Sequence, residues 1–314
     1  MPDFDVSSLN NPDILHDCAI CPRNCHVDRF STRLGFCKSD ASLNISSIVK
    51  HMGEEPVISG PDGICNIFFT HCNLQCIYCQ NYQISKNSTN CSQFHKDFNE
   101  AIREITSMLD EGITRVGFVS PSHFIPQMLM IIEKVESLGY KPIWVYNTNG
   151  YDRPETIRAL EGIIDVYLPD LKYVDSNLSK EYSDAGNYPD VAKLALKEMF
   201  HQKGSVLHLK EDQTAISGMI IRHLVLPGQI DNSLGVLRFI AEELSPKIHI
   251  SLMSQYFPTP AVKSHPLLRR TLTYKEYSKV VNEMDDLGMY NGWIQQMDSS
   301  TTYRPDFEKE HPFG

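Results

Sequence analysis

The chain has 314 residues, of which 41% are hydrophobic, and its formal net charge at pH 7 is −10. This length is enough to bury a full hydrophobic core, and α/β barrels of this size are routinely single domains. The negative charge opposes a nucleic-acid backbone, whose binding normally relies on clustered Lys and Arg, so nucleic acid is not an expected partner.

Short β-branched and aromatic runs alternate with helical patterns from about residue 64 onward. The predicted strands are ICNIFF, RVGFVS, PIWVYNT, IDVYL, MIIRHLVL and IHISLMS. The helical segments that follow them, in the same order, are DFNEAIREITSMLDEG, FIPQMLMIIEKVESLG, PETIRALEG, PDVAKLALKEMFHQKG, LGVLRFIAEEL and YKEYSKVVNEMDDLG. Six such units predict an α/β fold, an incomplete (β/α)6 TIM-type barrel with functional residues at the carboxyl ends of its strands.

The amino-terminal segment does not follow this alternation. Its four cysteines, spaced by two, three and eleven residues, are Cys18, Cys21, Cys25 and Cys37. We predict a cysteine-rich metal-binding extension over 1–63, a barrel core over 64–298 and a tail over 299–314. So short an extension has little core of its own, and a bound metal would supply folding free energy. The compact CAICPRNC favours structural zinc; a second iron–sulfur cluster and metal-free thiols are the alternatives.

Nine cysteines are an odd number, and seven of them fall in two close clusters. The amino terminus is acidic, with no basic region followed by an apolar one, and no apolar run reaches the ~20 residues of a membrane span. We therefore expect a soluble, cytoplasmic protein without membrane attachment. In that compartment, clustered cysteines indicate metal binding or redox chemistry rather than a disulfide framework.

The second cluster, in FFTHCNLQCIYC, places Cys72, Cys76 and Cys79 directly after the first predicted strand. A cubane 4Fe–4S cluster usually has four thiolate ligands, so three protein ligands leave one iron open to bind a small molecule. The alternatives are zinc, or a closed cluster with Cys91 as its fourth ligand. Cys91 lies in the polar stretch KNSTNCSQ and is interpreted as a surface thiol, and Cys65 as a small buried hydrophobe.

The order C-x3-C-x2-C, with Tyr78 just before the last cysteine, resembles the signature of radical S-adenosylmethionine (radical SAM) enzymes, a class of oxidoreductases. The resemblance covers residues 64 to 295. It implies that the open iron chelates the amino and carboxylate groups of S-adenosylmethionine. Cleavage by an electron, from a flavodoxin- or ferredoxin-type donor, then yields a 5′-deoxyadenosyl radical that abstracts hydrogen.

Later segments are similar to the activating enzymes of glycyl-radical enzymes, especially that of pyruvate formate-lyase. The matching stretches are NTNGY, LPDLK and IIRHLVLPG. With Tyr78 of the cysteine signature, this resemblance places five further residues near the cofactor, namely Asn147, Asn149, Asp170, Lys172 and Arg222. It implies Asp170 as a hard oxygen ligand or ammonium partner, Lys172 as a carboxylate partner and Arg222 for carboxylate or ribose contacts. Asn147 departs from the aspartate common in that family. Gly228 is expected in a tight turn. The alternative interpretation of each charged residue is a solvent-exposed ion pair at the barrel rim, without a role in cofactor binding.

The second strand lacks the Gly-Gly-Glu motif common in radical SAM enzymes and has FVSPSHF instead. Ser120 and Ser122 could offer hydroxyl and carbonyl oxygens in its place. His123 adds a titratable group, although a lone loop histidine is more often structural. No catalytic residue is assigned from the sequence.

Taken together, CPRNC, SPSHF, YLPDLK, RHLVLPG and MSQYFPTP resemble uncharacterised iron–sulfur proteins described as pyruvate formate-lyase activating enzyme-like. This implies radical hydrogen abstraction, with a glycyl-radical protein as the implied partner. Radical modification of a small molecule or peptide is one alternative. A non-catalytic iron–sulfur electron carrier is the other.

Overall fold

The computed structural model describes residues 9–90, 95–297, 299, 304–309 and 312–313. Its strands are β1 (Ile45–His51), β2 (Ile64–Phe69), β3 (Arg115–Val119), β4 (Ile143–Thr148), β5 (Val166–Pro169), β6 (His208–Leu209), β7 (Ala215–Leu224), β8 (His249–Met253) and β9 (Gly292–Ile294). They form one sheet in the order β1-β2-β3-β4-β5-β7-β8-β9, and β6 pairs with β7 only.

Helices connect the strands. The α-helices are α1 (Pro56–Ser59), α2 (Tyr82–Ser85), α3 (Phe98–Asp110), α4 (Ile125–Ser137), α5 (Pro154–Ala159), α6 (Ser176–Ser183), α7 (Tyr188–Lys203), α8 (Ile230–Phe239) and α9 (Tyr274–Asp286). A π-helical segment, Ile240–Leu244, continues α8, and short 3-10 helices span Pro12–Asp17, Pro121–His123 and Pro260–Val262. None of the described helices combines the length and apolar character needed to cross a membrane.

Strands β2 to β5, β7, β8 and β9 run parallel to one another, whereas β1 is antiparallel to β2 and β6 is antiparallel to β7. All six residues of β2 are buried, as expected for a strand covered on both faces. Within the described residues β1 and β9 are the two ends of the sheet, so hydrogen bonds do not close it into a complete barrel. The predicted α/β fold, with a mostly parallel sheet, is confirmed.

Each of the six predicted strand-then-helix units is present, and local capping signals set the start of two of their helices. Asp97 accepts a hydrogen bond from the Glu100 amide at the start of α3, and Thr273 and Glu276 form a capping box at the start of α9. Strand β1 was not predicted. It lies in the segment assigned to the extension and pairs with β2, so the boundary proposed at residue 63 falls within this strand pair.

Gly150 allows the loop after β4 to approach the end of β5. Its φ is +80°, and an added Cβ would lie 2.2 Å from the Asp170 carbonyl oxygen. We expect Gly150→Ala to destabilise the fold by about 1–2 kcal/mol through the left-handed backbone and by a further ~1–3 kcal/mol through the clash. Urea unfolding would measure the total.

Gly139→Ala is the matched control, because Gly139 also has a left-handed φ, +93°, but no atom lies within 4 Å of an added Cβ. It should show the backbone cost alone. Equal destabilisation by the two substitutions would contradict the close approach of Gly150 to Asp170.

Candidate active site

A cavity of about 500 Å³ opens at the carboxyl ends of the parallel strands. This volume lies within the range typical of sites for small molecules and cofactors. Most residues that the sequence singled out line this one cavity: Cys72, Cys76, Tyr78, Cys79, Ser120, Asn147, Asn149, Asp170, Lys172 and Arg222. The fold therefore brings together groups from the loop after β2 and from the ends of β3, β4, β5 and β7.

Each of the three loop sulfurs accepts at least one hydrogen bond. The donors are the Leu74 and Asn149 amides for Cys72, the Ser183 hydroxyl for Cys76 and the Ser85 hydroxyl for Cys79, at distances between 2.9 and 3.3 Å. Hydrogen bonds of this kind stabilise negative charge on sulfur and tune the potential of iron–sulfur clusters. The sulfur environment therefore fits thiolate ligands.

Burial raises the pKa of the metal-free Cys72 thiol to about 12 and that of Cys76 to about 11. Bound iron would displace these protons, because the thiolate is the metal ligand. No group of three or more His, Cys, Asp or Glu side chains in the described ranges is placed, as it stands, to hold a single metal ion. A cubane makes a different demand, since each thiolate binds a separate iron.

Beside the thiols lies a buried network of charges centred on Arg222. Its Nε and one Nη donate to Asp170 (3.0 Å) and to Asn147 (2.6 Å), and its other Nη lies 3.3 Å from Glu54. Lys172 donates to the second oxygen of Asp170 at 2.6 Å. Burial alone would raise the pKa of Asp170, but the Arg222 and Lys172 cations outweigh it and lower that pKa.

This arrangement can bind a zwitterion such as the methionyl end of S-adenosylmethionine. Lys172 uses one of its three donors on Asp170 within the described residues, which leaves donors for a ligand carboxylate. Asp170 stays ionised and can attract a ligand ammonium group. The sequence also allowed these residues to form a solvent-exposed ion pair at the barrel rim. In the structure they are largely buried, since the side chains of Lys172 and Asp170 are only 18% and 16% exposed.

Two acidic residues that the sequence interpretation missed, Glu54 and Glu55, also line the cavity. They precede α1, and the Asn66 amide on β2 donates to Glu54 at 2.9 Å. Burial raises the pKa of Glu55, and its Oε2 has no hydrogen-bond partner in the described part of the chain. The only sequence signal was the adjacent pair of carboxylates in GEEP. This pair gives no information on which strands its side chains contact in the folded protein.

Tyr78 and Asn149 both connect to the thiols. The Tyr78 hydroxyl is 2.6 Å from that of Tyr173, which lies 2.7 Å from Ser183, the donor to Cys76. Burial raises the pKa of Tyr78 well above its usual range, so the phenol stays protonated. Asn149 donates directly to the Cys72 sulfur at 3.3 Å. Both residues are therefore placed to orient the cysteine loop.

The structure separates the two serines of FVSPSHF. Ser120 has a left-handed backbone (φ 52°) at the end of β3 and lines the cavity. Ser122 is buried beside the Thr148 hydroxyl (3.3 Å), outside the residues that line the cavity. His123 is buried as well; its Nε2 donates to the Thr70 carbonyl oxygen, and the residue faces the amino-terminal cysteines. Gly228 has the positive φ, +75°, expected of a tight turn.

The four amino-terminal cysteines surround a second, small cavity next to the cysteine loop. Cys18, Cys21 and Cys37 are buried, and Cys25 is partly exposed. Cys65 is fully buried on β2, in keeping with its interpretation as a small hydrophobe. Cys91, the alternative fourth ligand, lies outside the described residues.

Comparison with protein families gives a match over residues 66–240 to the model of the radical SAM superfamily. The chain belongs to the radical SAM superfamily. Membership implies an enzyme that cleaves S-adenosylmethionine by radical chemistry, with a 4Fe–4S cluster and S-adenosylmethionine as cofactors and with a need for a reductant. The sulfur environment and the buried charges described above fit both cofactors.

Individual relatives are distant. An uncharacterised protein of Methanocaldococcus jannaschii is 29% identical over 286 residues, which cover 89% of this chain and 77% of that protein. Streptococcus suis SuiB bound to S-adenosylmethionine is 16% identical with a TM-score of 0.49, over 74% of this chain and 50% of SuiB. A domain of pyruvate-formate lyase-activating enzyme from Bacteroides vulgatus is 16% identical with a TM-score of 0.38, over 54% of this chain and 90% of that domain.

This radical SAM chain thus spans about half the length of SuiB. A structure of SuiB bound to its precursor peptide SuiA also matches, at 15% identity and a TM-score of 0.45, over 69% of this chain and 44% of SuiB. With TM-scores below 0.5, these structural similarities give no information on the substrate or partner of this radical SAM protein.

Proposed function

We propose that Cys72, Cys76 and Cys79 hold the 4Fe–4S cluster and that the cavity beside them binds S-adenosylmethionine for hydrogen abstraction from a substrate. The observation that carries this proposal is that the three thiols line the same cavity as the buried network of Asp170 and Lys172. In this arrangement Lys172 would hold the methionyl carboxylate and Asp170 would hold the ammonium group. Both functional groups would then lie beside the open iron.

The bound cluster would supply the electron that breaks the carbon–sulfur bond of the cofactor. The chain's own residues would position the reactants, because loop and strand-end residues line one cavity. A low-potential donor of the flavodoxin or ferredoxin type would deliver the electron, which fits a cytoplasmic location.

For the substrate, we propose a small molecule or short peptide. Carboxyl-terminal residues cover the side of the cavity near β1 and β2: Phe307 and Phe313 lie 5.3 and 5.5 Å from the ring of Phe68, which lines the cavity. A folded protein segment that approached from this side would have to displace this aromatic cluster. Activation of a glycyl-radical protein is the second candidate, supported by the NTNGY and LPDLK segments.

The test is anaerobic incubation of reconstituted protein with dithionite and S-adenosylmethionine, followed by chromatography for 5′-deoxyadenosine. We expect several equivalents per chain. A protein that carries its cluster but forms no 5′-deoxyadenosine would be the non-catalytic electron carrier. A glycyl-radical electron paramagnetic resonance (EPR) signal on an added glycyl-radical protein would favour the second candidate substrate.

A further inference from the structure

The cavity that the three loop thiols line extends into the barrel, away from the cysteine loop. His51 lines it and pairs with Ile64, the first residue of β2, whereas the loop with Cys72 follows the last residue of that strand. Ser251 and Trp293, which are paired neighbours on β8 and β9, line the cavity as well. The cavity therefore has an inner end, lined by His51, Ser251 and Trp293.

Glu55 adds an unsatisfied carboxylate oxygen to the inner end. Its backbone carbonyl accepts hydrogen bonds from the amides of Ile58 and Ser59, so the main chain is fixed at the start of α1. Its side chain is buried, lines the cavity and interacts with that of Ser251. Its Oε2 has no hydrogen-bond partner in the described part of the chain. Native structures rarely leave such an atom unsatisfied, so a ligand group is expected beside it.

His51 contributes a second unsatisfied atom to the inner end. Its ring lies 4.3 Å from that of Phe313, and its buried Nδ1 has no hydrogen-bond partner among the residues that the structure describes. Burial and the Arg222 cation lower the pKa of His51 to about 4 against the opposing effect of the Glu55 carboxylate, so the imidazole is neutral and can accept a hydrogen bond. This effect of Glu55 also means that the two side chains are close enough to share one ligand group.

The charges of the cavity leave Glu55 without a cation. Arg222 forms ion pairs with Glu54 and Asp170. Lys172 pairs with Asp170 as well, so these two cations and two carboxylates balance one another. No ion pair to Glu55 occurs within the described ranges, and burial raises the pKa of its carboxyl group. A cation that also donates hydrogen bonds would stabilise this carboxylate best, and an ammonium group does both.

We propose that the inner end of the cavity binds a protonated alkyl amine of the substrate, with Glu55 as the residue that selects it. This inference rests on the proposed function and deepens it, because it assigns a chemical class to the substrate. The ammonium group would donate hydrogen bonds to Glu55 Oε2 and His51 Nδ1. The aromatic ring of Trp293, in the same wall, favours a cation over a neutral group.

An amine at the inner end would place the rest of the substrate beside the proposed cofactor site. Arg222 pairs with Asp170 of that site at 3.0 Å and is close enough to His51 to lower its pKa. Phe68 and Met253 also line the cavity and offer apolar contacts to an alkyl chain. The carbon atoms of the substrate would thus lie next to S-adenosylmethionine, where hydrogen abstraction would take place.

Binding of simple amines tests this inference. Reconstituted protein saturated with S-adenosylmethionine, without a reductant, is titrated anaerobically by calorimetry with n-butylammonium, with n-butanol and with a blocked Gly-Lys-Gly tripeptide. The first and third probes represent a small-molecule amine and a peptide amine, and we expect at least one of them to bind. The neutral n-butanol should bind much more weakly. Equal binding of n-butanol and n-butylammonium, or no binding of either amine, would overturn the proposal.

Glu55→Gln keeps the shape of the side chain and removes its charge. Affinity for the amine should fall about ten-fold or more, as expected for loss of a hydrogen bond to a charged group. The melting temperature without amine should not fall, because the substitution removes a buried, unpaired carboxylate. Glu211→Gln, at an exposed position, is the matched control and should behave as wild type.

Two results with these variants would contradict the inner end as the amine site. One is unchanged amine affinity in Glu55→Gln, and the other is displacement of the amine by S-adenosylmethionine, which would place it at Asp170 instead. Amine binding requires no cleavage of S-adenosylmethionine. Absence of 5′-deoxyadenosine from the reduced wild type would therefore count against the proposed function and not against the amine site.

Discussion

Replacement of Cys72, Cys76 or Cys79 by alanine is expected to abolish both the EPR signal of the reduced barrel cluster and the formation of 5′-deoxyadenosine. Three thiolates are the minimum that holds a cubane with one open iron, so loss of any one removes the site rather than weakening it. Each sulfur also accepts a hydrogen bond within the fold, and the sequence between β2 and α2 holds no fourth cysteine that could replace a lost one. Iron analysis and anaerobic chromatography would measure both effects.

Two other cysteines provide controls. Cys65→Ala removes a fully buried thiol from β2 and should keep the cluster, with a modest loss of stability. Cys91→Ala should keep both the cluster and the cleavage activity. If Cys91→Ala instead lost the cluster, four cysteines would hold a closed cubane, and the open iron required for S-adenosylmethionine would not exist.

The second large effect is expected for Asp170→Asn, which keeps the shape of the side chain but removes its charge. A charge-assisted hydrogen bond to the ligand ammonium is worth roughly 1.5–3 kcal/mol, so affinity for S-adenosylmethionine should fall about ten-fold or more. Arg222→Ala should weaken binding as well. It should also destabilise the fold by about 3–5 kcal/mol, because it leaves the buried carboxylate of Glu54 without its cation. Equilibrium dialysis and thermal unfolding would separate these effects.

Glu243→Gln is the matched control for Asp170→Asn, since Glu243 pairs with Lys197 at an exposed site where both side chains are 45% exposed. The Glu243→Gln variant should have the same affinity for S-adenosylmethionine and the same iron content as wild type. Unchanged affinity in Asp170→Asn, with normal iron content, would mean that the charge network supports the fold and does not contact the cofactor.

The six βα units and the three-cysteine loop could be predicted because their signals are local. Amphipathic spacing, capping residues and cysteine intervals are properties of short segments, and α3 and α9 begin at the residues that these signals indicate. Helix α6, by contrast, was not predicted. The position of Asp170 and Lys172 at a strand end followed from the same pattern, since parallel strands place their carboxyl ends on one side of a sheet.

What the sequence by itself determined was thus the order of the six βα units and the cysteine spacing that indicates iron–sulfur chemistry. Only the tertiary structure decided which distant residues meet in the cavity. Glu54 reaches Arg222 across 168 positions because the segment after β1 enters the barrel. Ser122 and His123 follow β3 as Ser120 does, yet a 3-10 turn directs them away from the cavity. Asn87 joins the two cysteine sites through packing between loops, which no period or spacing encodes.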